Sequence, residues 1–261
     1  MSAVPALLSG SGVGFTLGLI GGGGSILATP LLLYAVGIAQ PHLAIGTGAL
    51  AVAANAFLTL AGHARAGNVR WPCALVFALI GILGAFVGSS LGKAVDGQRL
   101  LFLFALLMVV VGLHMLRGRR GTGGTAEPVG CGPVPSRTVV GVAFGVGMLS
   151  GFFGIGGGFL IVPGLVFATG MPLITAVGTS LFAVGAFGLA TALNYALSGM
   201  VDWVVAGQFI AGGLVGGFLG MRLANRLAGF KGALNTVFAT VIFAVAGYML
   251  YRNAGAFAAT P

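Results

Sequence analysis

The amino-acid sequence predicts an all-α polytopic membrane protein built from two inverted-topology repeats. Of its 261 residues, 58% are hydrophobic and only 6% are charged, a balance that ordinary soluble domains do not reach. The apolar residues form runs of helix length without the alternation of outer-membrane strands, which favours a helical bundle. A glycine-rich motif occurs once in each half, which indicates an internal duplication.

The duplicated motif reads Gly-x-x-Gly-x-Gly-Gly, followed by five residues and a proline. It begins at Gly18 and again at Gly151, an offset of 133 residues. The match continues at an offset of 132, where the Gly-Thr pair 46–47 corresponds to the pair 178–179 and Trp71 corresponds to Trp203. The duplication therefore covers nearly the whole chain.

Each repeat is predicted to contain a glycine-broken helical hairpin and about three full spans. The first repeat, residues 1–117, has its hairpin at 3–38 and spans at 43–61, 71–91 and 100–116. The second repeat, residues 138–252, has its hairpin at 138–169 and spans at 173–197, 203–219 and 233–251. Residues 118–137 are rich in Gly, Pro, Thr and Arg and are predicted to be an exposed linker. The pattern leaves open whether the two runs of each hairpin cross the membrane or re-enter it.

Loop charge favours the inverted arrangement of the two halves. If each hairpin returns to the side where it started, one side holds nine of the twelve Lys and Arg residues: Arg65, Arg70, Arg117, Arg119, Arg120, Arg137, Arg222, Arg226 and Lys231. The other side holds Lys93, Arg99 and Arg252, with Asp96 and Asp202. If each hairpin made a single crossing, the split would be seven to five. Because cytoplasmic loops are enriched in Lys and Arg, we expect a multi-pass protein of the inner (plasma) membrane with a cytoplasmic linker and both termini outside.

The net charge of +9 is therefore interpreted as a topology and head-group signal, and no nucleic-acid partner is predicted. The expected partners are the lipid bilayer and a small anionic substrate, and homo-oligomerisation is left open.

The two glycine clusters are the predicted substrate site. A glycine cluster within hydrocarbon breaks a helix, and the freed backbone groups are tolerated only where they line a protein-walled cavity. If the halves are inverted, the two tips enter from opposite faces and meet near the midplane, where the helices that begin at Ile26 and Phe159 point their N-termini at each other. A helix N-terminus binds anions through its free N–H groups and its dipole. The alternative is that the glycines only allow two helices to cross closely.

The few polar residues within the runs complete the candidate site. Thr47 and Thr179 are related by the repeat, which favours them over the other hydroxyls, although membrane hydroxyls also bond to their own backbone. Buried amides are costly and so favour a cavity. The predicted substrate-binding residues are Gly22, Gly23, Gly24, Ser25, Thr47, Asn55, Gly156, Gly157, Gly158, Thr179, Ser180 and Asn194. The cations Arg65, Arg70 and Lys93 are interpreted as interfacial residues, with steering of the anion as the alternative. His42, His63 and His114 are likewise interpreted as interfacial, with a proton-coupling role as the alternative.

No enzymatic activity is predicted. The glycine clusters lack the lysine of a nucleotide-binding loop, and Ser25 has no nearby His or Asp in the sequence that would make it a nucleophile. Cys73 and Cys131 do not match a metal-ligand spacing. We therefore predict no catalytic residue, no metal site and no cofactor.

The paired motifs, with the later Gly46-Thr47 and Gly178-Thr179, resemble those of the sulfite exporter TauE/SafE family over essentially the full chain. This resemblance implies a prokaryotic inner-membrane permease that moves sulfite, sulfoacetate or other organosulfonates, commonly outward. The residues themselves predict only a small anion. Gly22 and Ser25 in one cluster correspond to Ile155 and Gly158 in the other, so the two half-sites are not expected to be equivalent.

Together these observations predict a secondary transporter of a small sulfur-containing anion. We expect it to export the anion and to operate by alternating access. The alternatives are a passive anion channel with the same site and a membrane scaffold that transports nothing.

Overall fold

The fold is a bundle of apolar α-helices. The computed structural model describes residues 3–117, 136–153, 158–227, 236, 240, 243–248 and 250–251. Its helices are α1 (Ala3–Ile20), a 3-10 segment (Gly21–Leu27), α2 (Ala28–Tyr34), α3 (Pro41–Arg65), α4 (Trp71–Lys93), α5 (Gly97–Arg117), α6 (Arg137–Phe153), α7 (Gly158–Thr169), α8 (Leu173–Ala196) and α9 (Trp203–Leu227). No strand occurs within these ranges, and five of the helices are long and apolar enough to cross a membrane: α1, α3, α4, α8 and α9. The predicted all-α polytopic architecture is confirmed.

Two glycine-lined interfaces bring α1 against α9 and α4 against α6. Leu7, Ser11 and Phe15 of α1 place backbone carbonyls against the Cα atoms of Gly212, Gly216 and Gly220. The same close approach joins α4 to α6, where Gly147 and Gly151 lie against the backbone of Gly81 and Ala85. Because hydrocarbon offers no hydrophobic drive for helix association, such close backbone packing is a main source of cohesion in membranes.

These contacts also give the helix directions. Residue numbers rise together along α1 and α9, along α3 and α9, and along α4 and α6, so the members of each pair run in the same direction. Along α3 and α8 they run oppositely, since Gly46 lies near Tyr195 whereas Ala49 lies near Gly188. A short turn joins α3 to α4, which therefore run in opposite directions. It follows that α1 opposes its repeat counterpart α6, α3 opposes α8, and α4 opposes α9.

The directions sort the charged residues between two ends of the bundle. One end, which we call the arginine end, carries the ends of α3 and α9 and the starts of α4, α6 and α8; its arginines are Arg65, Arg70, Arg137, Arg222 and Arg226. The opposite end, the aspartate end, carries Lys93, Asp96, Arg99 and Asp202. In the described loops, Lys and Arg residues are therefore more numerous at the arginine end, and this asymmetry is the one on which the topology prediction depends.

The central helices are α3 and α8. Within their most apolar stretches 72% and 61% of residues are buried inside the protein, against 44% in both α4 and α9. Most polar side chains of these two helices are accordingly buried in the bundle: Thr47, Asn55, Thr59 and His63 of α3, and Thr179, Ser180, Thr191 and Asn194 of α8.

The chain reverses between α1 and α2 in a different form from the one predicted. The glycine cluster was expected to be an irregular tip before a helix beginning at Ile26, but Gly21–Leu27 forms a 3-10 helix that leads into the seven-residue α2. Gly21 has φ +63°, a left-handed conformation that favours glycine, and this residue makes the turn. Gly24 packs on the backbone of Leu17, which holds the returning segment against α1. The first hairpin thus starts and ends at the aspartate end.

Helices lie over the predicted spans 43–61, 71–91, 100–116, 173–197 and 203–219, and their ends differ from the predicted bounds by a few residues. The largest difference is in α9, predicted to end at 219 but continuing to Leu227 through its two arginines. The predicted linker lies almost wholly outside the described residues, as do Gly156 and Gly157 and most of the last predicted span. The division into repeats at residues 117 and 138 stays a prediction.

Candidate substrate site

The break after α1 brings three of the predicted site residues together. The Gly22 N–H donates to Ser180 Oγ at 3.1 Å, and the Ser25 hydroxyl donates to the Gly22 carbonyl at 2.9 Å. Gly22, Ser25 and Ser180 are all buried. The break is therefore enclosed by α8, as a polar backbone segment at membrane depth must be.

Ser180 holds the break through two hydrogen bonds. Its hydroxyl accepts from Gly22 N–H and donates to the Val177 carbonyl at 2.7 Å. The backbone donor at the break is thus satisfied by one side-chain oxygen. A bound anion could take the place of Ser180 Oγ as the acceptor of the Gly22 N–H. The Ser180 hydroxyl could then donate to the same anion, so Gly22 and Ser180 together offer two hydrogen-bond donors.

The break lies on the arginine side of the middle of the bundle, displaced from the middle of α8 by about 8 Å. Its contact on α8, Ser180, is seven residues into that helix, or about 10 Å from its start along a helix about 36 Å long. Helix α1 sets this position, because its 18 residues reach about 27 Å from the aspartate end. The meeting of the two tips at the midplane stays a prediction, since residues 154–157 of the second tip lie outside the described residues.

The second glycine cluster contributes one described residue. Gly156 and Gly157 lie outside the described residues, and Gly158 is the first residue of α7. Helix α7 packs along the 3-10 segment, so the return segments of the two hairpins lie side by side. The substrate role assigned to Gly156, Gly157 and Gly158 stays a prediction.

Thr47 and Thr179 make equivalent hydrogen bonds across the two halves. Thr47 Oγ1 accepts the Asp202 N–H at 2.9 Å, and Thr179 Oγ1 accepts the Arg70 N–H at 3.0 Å. Asp202 and Arg70 each immediately precede a helix of the opposite half, where backbone N–H groups lack helical partners. The repeat-related threonines therefore hold the starts of α9 and α4, and a substrate role for them stays a prediction.

Removing these hydroxyls is expected to destabilise the protein. Thr47→Val and Thr179→Val should each lower the free energy of unfolding by about 1 kcal/mol, the usual cost of losing a helix N-terminal cap. Thermal unfolding of purified protein in detergent measures the effect. The control is Thr240→Val, because exposed Thr240 bonds, within the described part of the chain, to the Thr236 carbonyl of its own turn. Equal melting temperatures for all three variants would remove this capping role.

Asn55 is a buried amide without a described partner. Its side chain lies at the centre of α3, 1% exposed, and packs on Gly213 of α9. Neither Oδ1 nor Nδ2 has a hydrogen-bond partner among the described residues. The repeat counterpart of Asn55 is Phe187, which packs on Gly81, itself the counterpart of Gly213. An apolar side chain fills the equivalent space in the other half, so packing does not require an amide at position 55.

Asn55 belongs to a polar stripe on α3. Asn55, Thr59 and His63 are four residues apart and so share one helix face, and all three are buried. The stripe runs from the middle of the bundle to the break, where His63 Nε2 lies 3.0 Å from the Gly18 carbonyl. The counterpart face of α8 carries Thr191 and Tyr195, whose hydroxyls also have no partner among the described residues. Unpaired polar atoms therefore lie along both central helices.

Asn194, the remaining predicted residue, lies at the aspartate end. Its Oδ1 accepts from Lys93 Nζ at 2.7 Å, and its Nδ2 donates to Ser89 Oγ at 2.6 Å. Lys93 Nζ also donates to Ser198 Oγ at 2.9 Å. Because these acceptors carry no negative charge, they do not cancel the positive charge of Lys93, which can attract an anion that reaches this end. The structure does not bring Asn194 to the glycine break.

A cavity of about 440 Å³ opens beside this cluster. Gln40, His42, Asp96 and Met200 contribute to its lining, and His42 stacks on Tyr195 with 6.2 Å between ring centroids. Tyr195 is therefore the link between the cavity and the polar face of α8.

Sequence reasoning favoured an interfacial position for His63 and Lys93 over proton coupling by the histidine and anion steering by the lysine. His63 is fully buried, and Lys93 is held inside the α4–α8 junction by Asn194. One signal was available for His63, since its spacing of eight residues from Asn55 places both side chains on one helix face. The partners of Lys93 are more than a hundred residues away in sequence, and no local pattern indicates them.

Comparison with known proteins identifies the family. A sequence model described as sulfite exporter TauE/SafE matches residues 6–249, nearly the entire chain. The chain belongs to the sulfite exporter TauE/SafE family. A TauE/SafE protein is a membrane transporter rather than an enzyme, and the five long apolar helices of this chain make it a multi-pass membrane protein.

The relatives of this TauE/SafE protein have similar descriptions. A probable membrane transporter protein of Xylella fastidiosa (strain 9a5c) is 56% identical over 252 residues, which cover 97% of this chain and 96% of the relative. The probable membrane transporter protein YunE of Bacillus subtilis (strain 168) is 26% identical over 246 residues, which cover 87% of this chain and 90% of the relative. No solved structure matches the chain.

Proposed function

We propose that this TauE/SafE protein is a secondary transporter that exports a small sulfur-containing anion, such as sulfite or an organosulfonate, by alternating access. The observation that carries the proposal is the buried break of α1, where one backbone amide is held by a single hydroxyl, Ser180 Oγ. The family name supplies the sulfur chemistry. The break supplies donors suited to an oxyanion, because backbone N–H groups and hydroxyls are what a sulfonate or sulfite oxygen accepts from.

The charge distribution suits an anion that must both bind and leave. The segments around the break, α1, the 3-10 segment, α7 and α8, contain no Asp, Glu, Lys or Arg. The anion is therefore held by neutral donors, without a fixed countercharge that would retain it. Lys93 at one end and the arginines at the other attract it to the two mouths of the bundle.

The helix directions support an inverted-repeat mechanism. Among the described helices, three repeat-related pairs run in opposite directions, α1 with α6, α3 with α8 and α4 with α9, as expected for transporters whose two halves rock around a central site. The arginine end, with five of the seven Lys and Arg residues whose side chains are described, is assigned to the cytoplasm. In this orientation the chain begins outside, and the first break is nearer the cytoplasm.

The direct test is counterflow in liposomes. Purified protein is reconstituted with unlabelled sulfite, sulfoacetate or taurine trapped inside, and labelled substrate is supplied outside. A carrier gives transient accumulation of label against the trapped substrate, whereas a passive channel gives only equilibration. Absence of anion movement with all three substrates would contradict the proposed function and favour a membrane scaffold.

Asn55→Leu separates a substrate contact from a packing role. Leucine has a similar volume and removes a buried amide that has no described partner, so the free energy of unfolding should stay equal or rise by about 1 kcal/mol. If Asn55 binds the anion in passage, the counterflow rate should fall at least about tenfold, the equivalent of one lost hydrogen bond to a charged group. The matched control is Phe187→Leu at the repeat-related position, where transport should be retained. A fully active Asn55→Leu protein would exclude this residue from the site.

A further inference from the structure

His63 closes the end of α1 at the glycine break. Its Nε2 lies 3.0 Å from the Gly18 carbonyl, and a carbonyl only accepts hydrogen bonds, so Nε2 carries the hydrogen and donates it. Gly18 is in the last turn of α1, where carbonyls have no helical partner because the helix ends at Ile20. One nitrogen of this imidazole is therefore committed to the backbone.

The other ring nitrogen, Nδ1, takes no part in this backbone contact. With Nε2 protonated, Nδ1 is a bare acceptor in the neutral ring and a donor in the imidazolium. Nδ1 is buried and has no hydrogen-bond partner among the described residues. The backbone cap explains Nε2 alone, and a glutamine side chain would provide the same donor.

Among the described residues, the groups packed around His63 include no carboxylate. Helix α1 and the 3-10 segment contain no titratable side chain, and α9, which passes beside Gly62, contains Arg222 and Arg226. On its own helix the nearest titratable neighbour is Arg65. Protonation of His63 would add a positive charge to a region that already contains these arginines. The added charge therefore needs an anion nearby to stabilise it, and the break, one helical turn beyond Gly18, is the proposed site of that anion.

We infer that His63 Nδ1 is the proton-binding site that couples proton movement to anion transport, an inference that rests on the proposed function. In the coupling step hydronium of the medium gives a proton to the Nδ1 lone pair: one O–H bond breaks and leaves water, one N–H bond forms, and the ring becomes an imidazolium. Release on the other side reverses the step. Because the imidazolium and the anion attract each other across a short buried distance, each raises the affinity for the other. The proton and the anion consequently move together in the same direction.

The repeat gives this site to one half only. The counterpart of His63 is Tyr195, and tyrosine, unlike histidine, titrates far above neutral pH. A single titrating residue therefore predicts one proton per transport cycle.

The test is accumulation of labelled sulfoacetate driven by a pH gradient. Sulfoacetate is suitable because its sulfonate stays ionised and does not cross lipid as a neutral acid. Liposomes are prepared with an alkaline interior and placed in an acidic medium, with potassium and valinomycin present to remove any membrane potential. Wild-type protein is expected to accumulate label above the external concentration.

His63→Gln should abolish this accumulation and retain counterflow without a pH gradient. Glutamine keeps an N–H for the Gly18 carbonyl but cannot take up a proton. The matched control is His42→Gln at the aspartate end, which should accumulate label as the wild type does. Accumulation by His63→Gln equal to that of the wild type would overturn the inference, as would its loss in His42→Gln alone. Absence of counterflow in the wild type would contradict the proposed function itself, so the two failures are distinguishable.

A second measurement does not depend on a variant. Adding sulfoacetate to purified wild-type protein in weakly buffered detergent solution should raise the pH of the medium, because anion binding draws up to one proton per chain onto His63. A pH-indicator dye records the change. Anion binding without proton uptake at any pH between about 5 and 8, the range in which histidine titrates, would contradict the inference.

Discussion

Gly21→Ala is expected to abolish transport and to lower the melting temperature. Alanine at φ +63° costs about 1–2 kcal/mol in the left-handed conformation. In addition, its Cβ would lie 2.7 Å from the Val177 carbonyl and 2.8 Å from Ser180 Oγ. The carbonyl belongs to the backbone of a central helix and cannot move aside, so the break must shift and the contact between Gly22 and Ser180 is lost. Counterflow in liposomes and thermal unfolding in detergent measure the two effects.

Gly37→Ala is the matched control for Gly21. Gly37 also has a positive φ, +86°, but a Cβ there would meet nothing within 4 Å. This variant therefore carries the backbone strain without the clash, and it should lose about 1 kcal/mol of stability while retaining transport. Equal transport by the two variants would show that the geometry at Gly21 does not serve the site.

The second large effect is expected at the α1–α9 interface. Gly216→Val should lower the free energy of unfolding by about 3 kcal/mol or more, at or above the usual upper range for overpacking. A Cβ at Gly216 would collide with the Ser11 carbonyl and lie 2.7 Å from the Phe15 amide nitrogen. Since both are backbone atoms of α1, the two helices must separate. Thermal unfolding and the yield of monodisperse protein in detergent measure the loss.

The control on the same helix is Gly207→Val. A Cβ at Gly207 meets nothing within 4 Å, and the residue is exposed on the outer face of the bundle. This variant should unfold at the wild-type temperature. If both substitutions were equally harmful, the damage would come from valine in the helix rather than from helix packing.

The sequence predicted the architecture well because hydropathy and the internal repeat are properties of whole segments. The glycine cluster predicted the reversal of the first hairpin, since consecutive glycines are incompatible with a regular membrane helix. The contacts of individual side chains were less accessible. Thr47 and Thr179 were grouped with the substrate site because the repeat relates them, and in the structure both hydroxyl oxygens bond to backbone N–H groups of the other half.

The positions where the two halves differ were the hardest to interpret. Asn55 and Phe187 occupy related positions, as do His63 and Tyr195. A repeat read from sequence emphasises identical residues, whereas the unpaired atoms of Asn55 and His63 become evident only when the neighbouring helices are in place. Ser180, which holds Gly22, gained no support from the repeat, because its counterpart at residue 48 is a glycine.

The pairing of α1 with α9 has a consequence for biosynthesis. Of the described helices α1 leaves the ribosome first, yet the face that packs against Gly212, Gly216 and Gly220 stays uncovered until about 220 residues have been translated. Until α9 is inserted, that face of α1 contacts lipid or an insertion factor. The α1–α9 interface is therefore completed late in assembly.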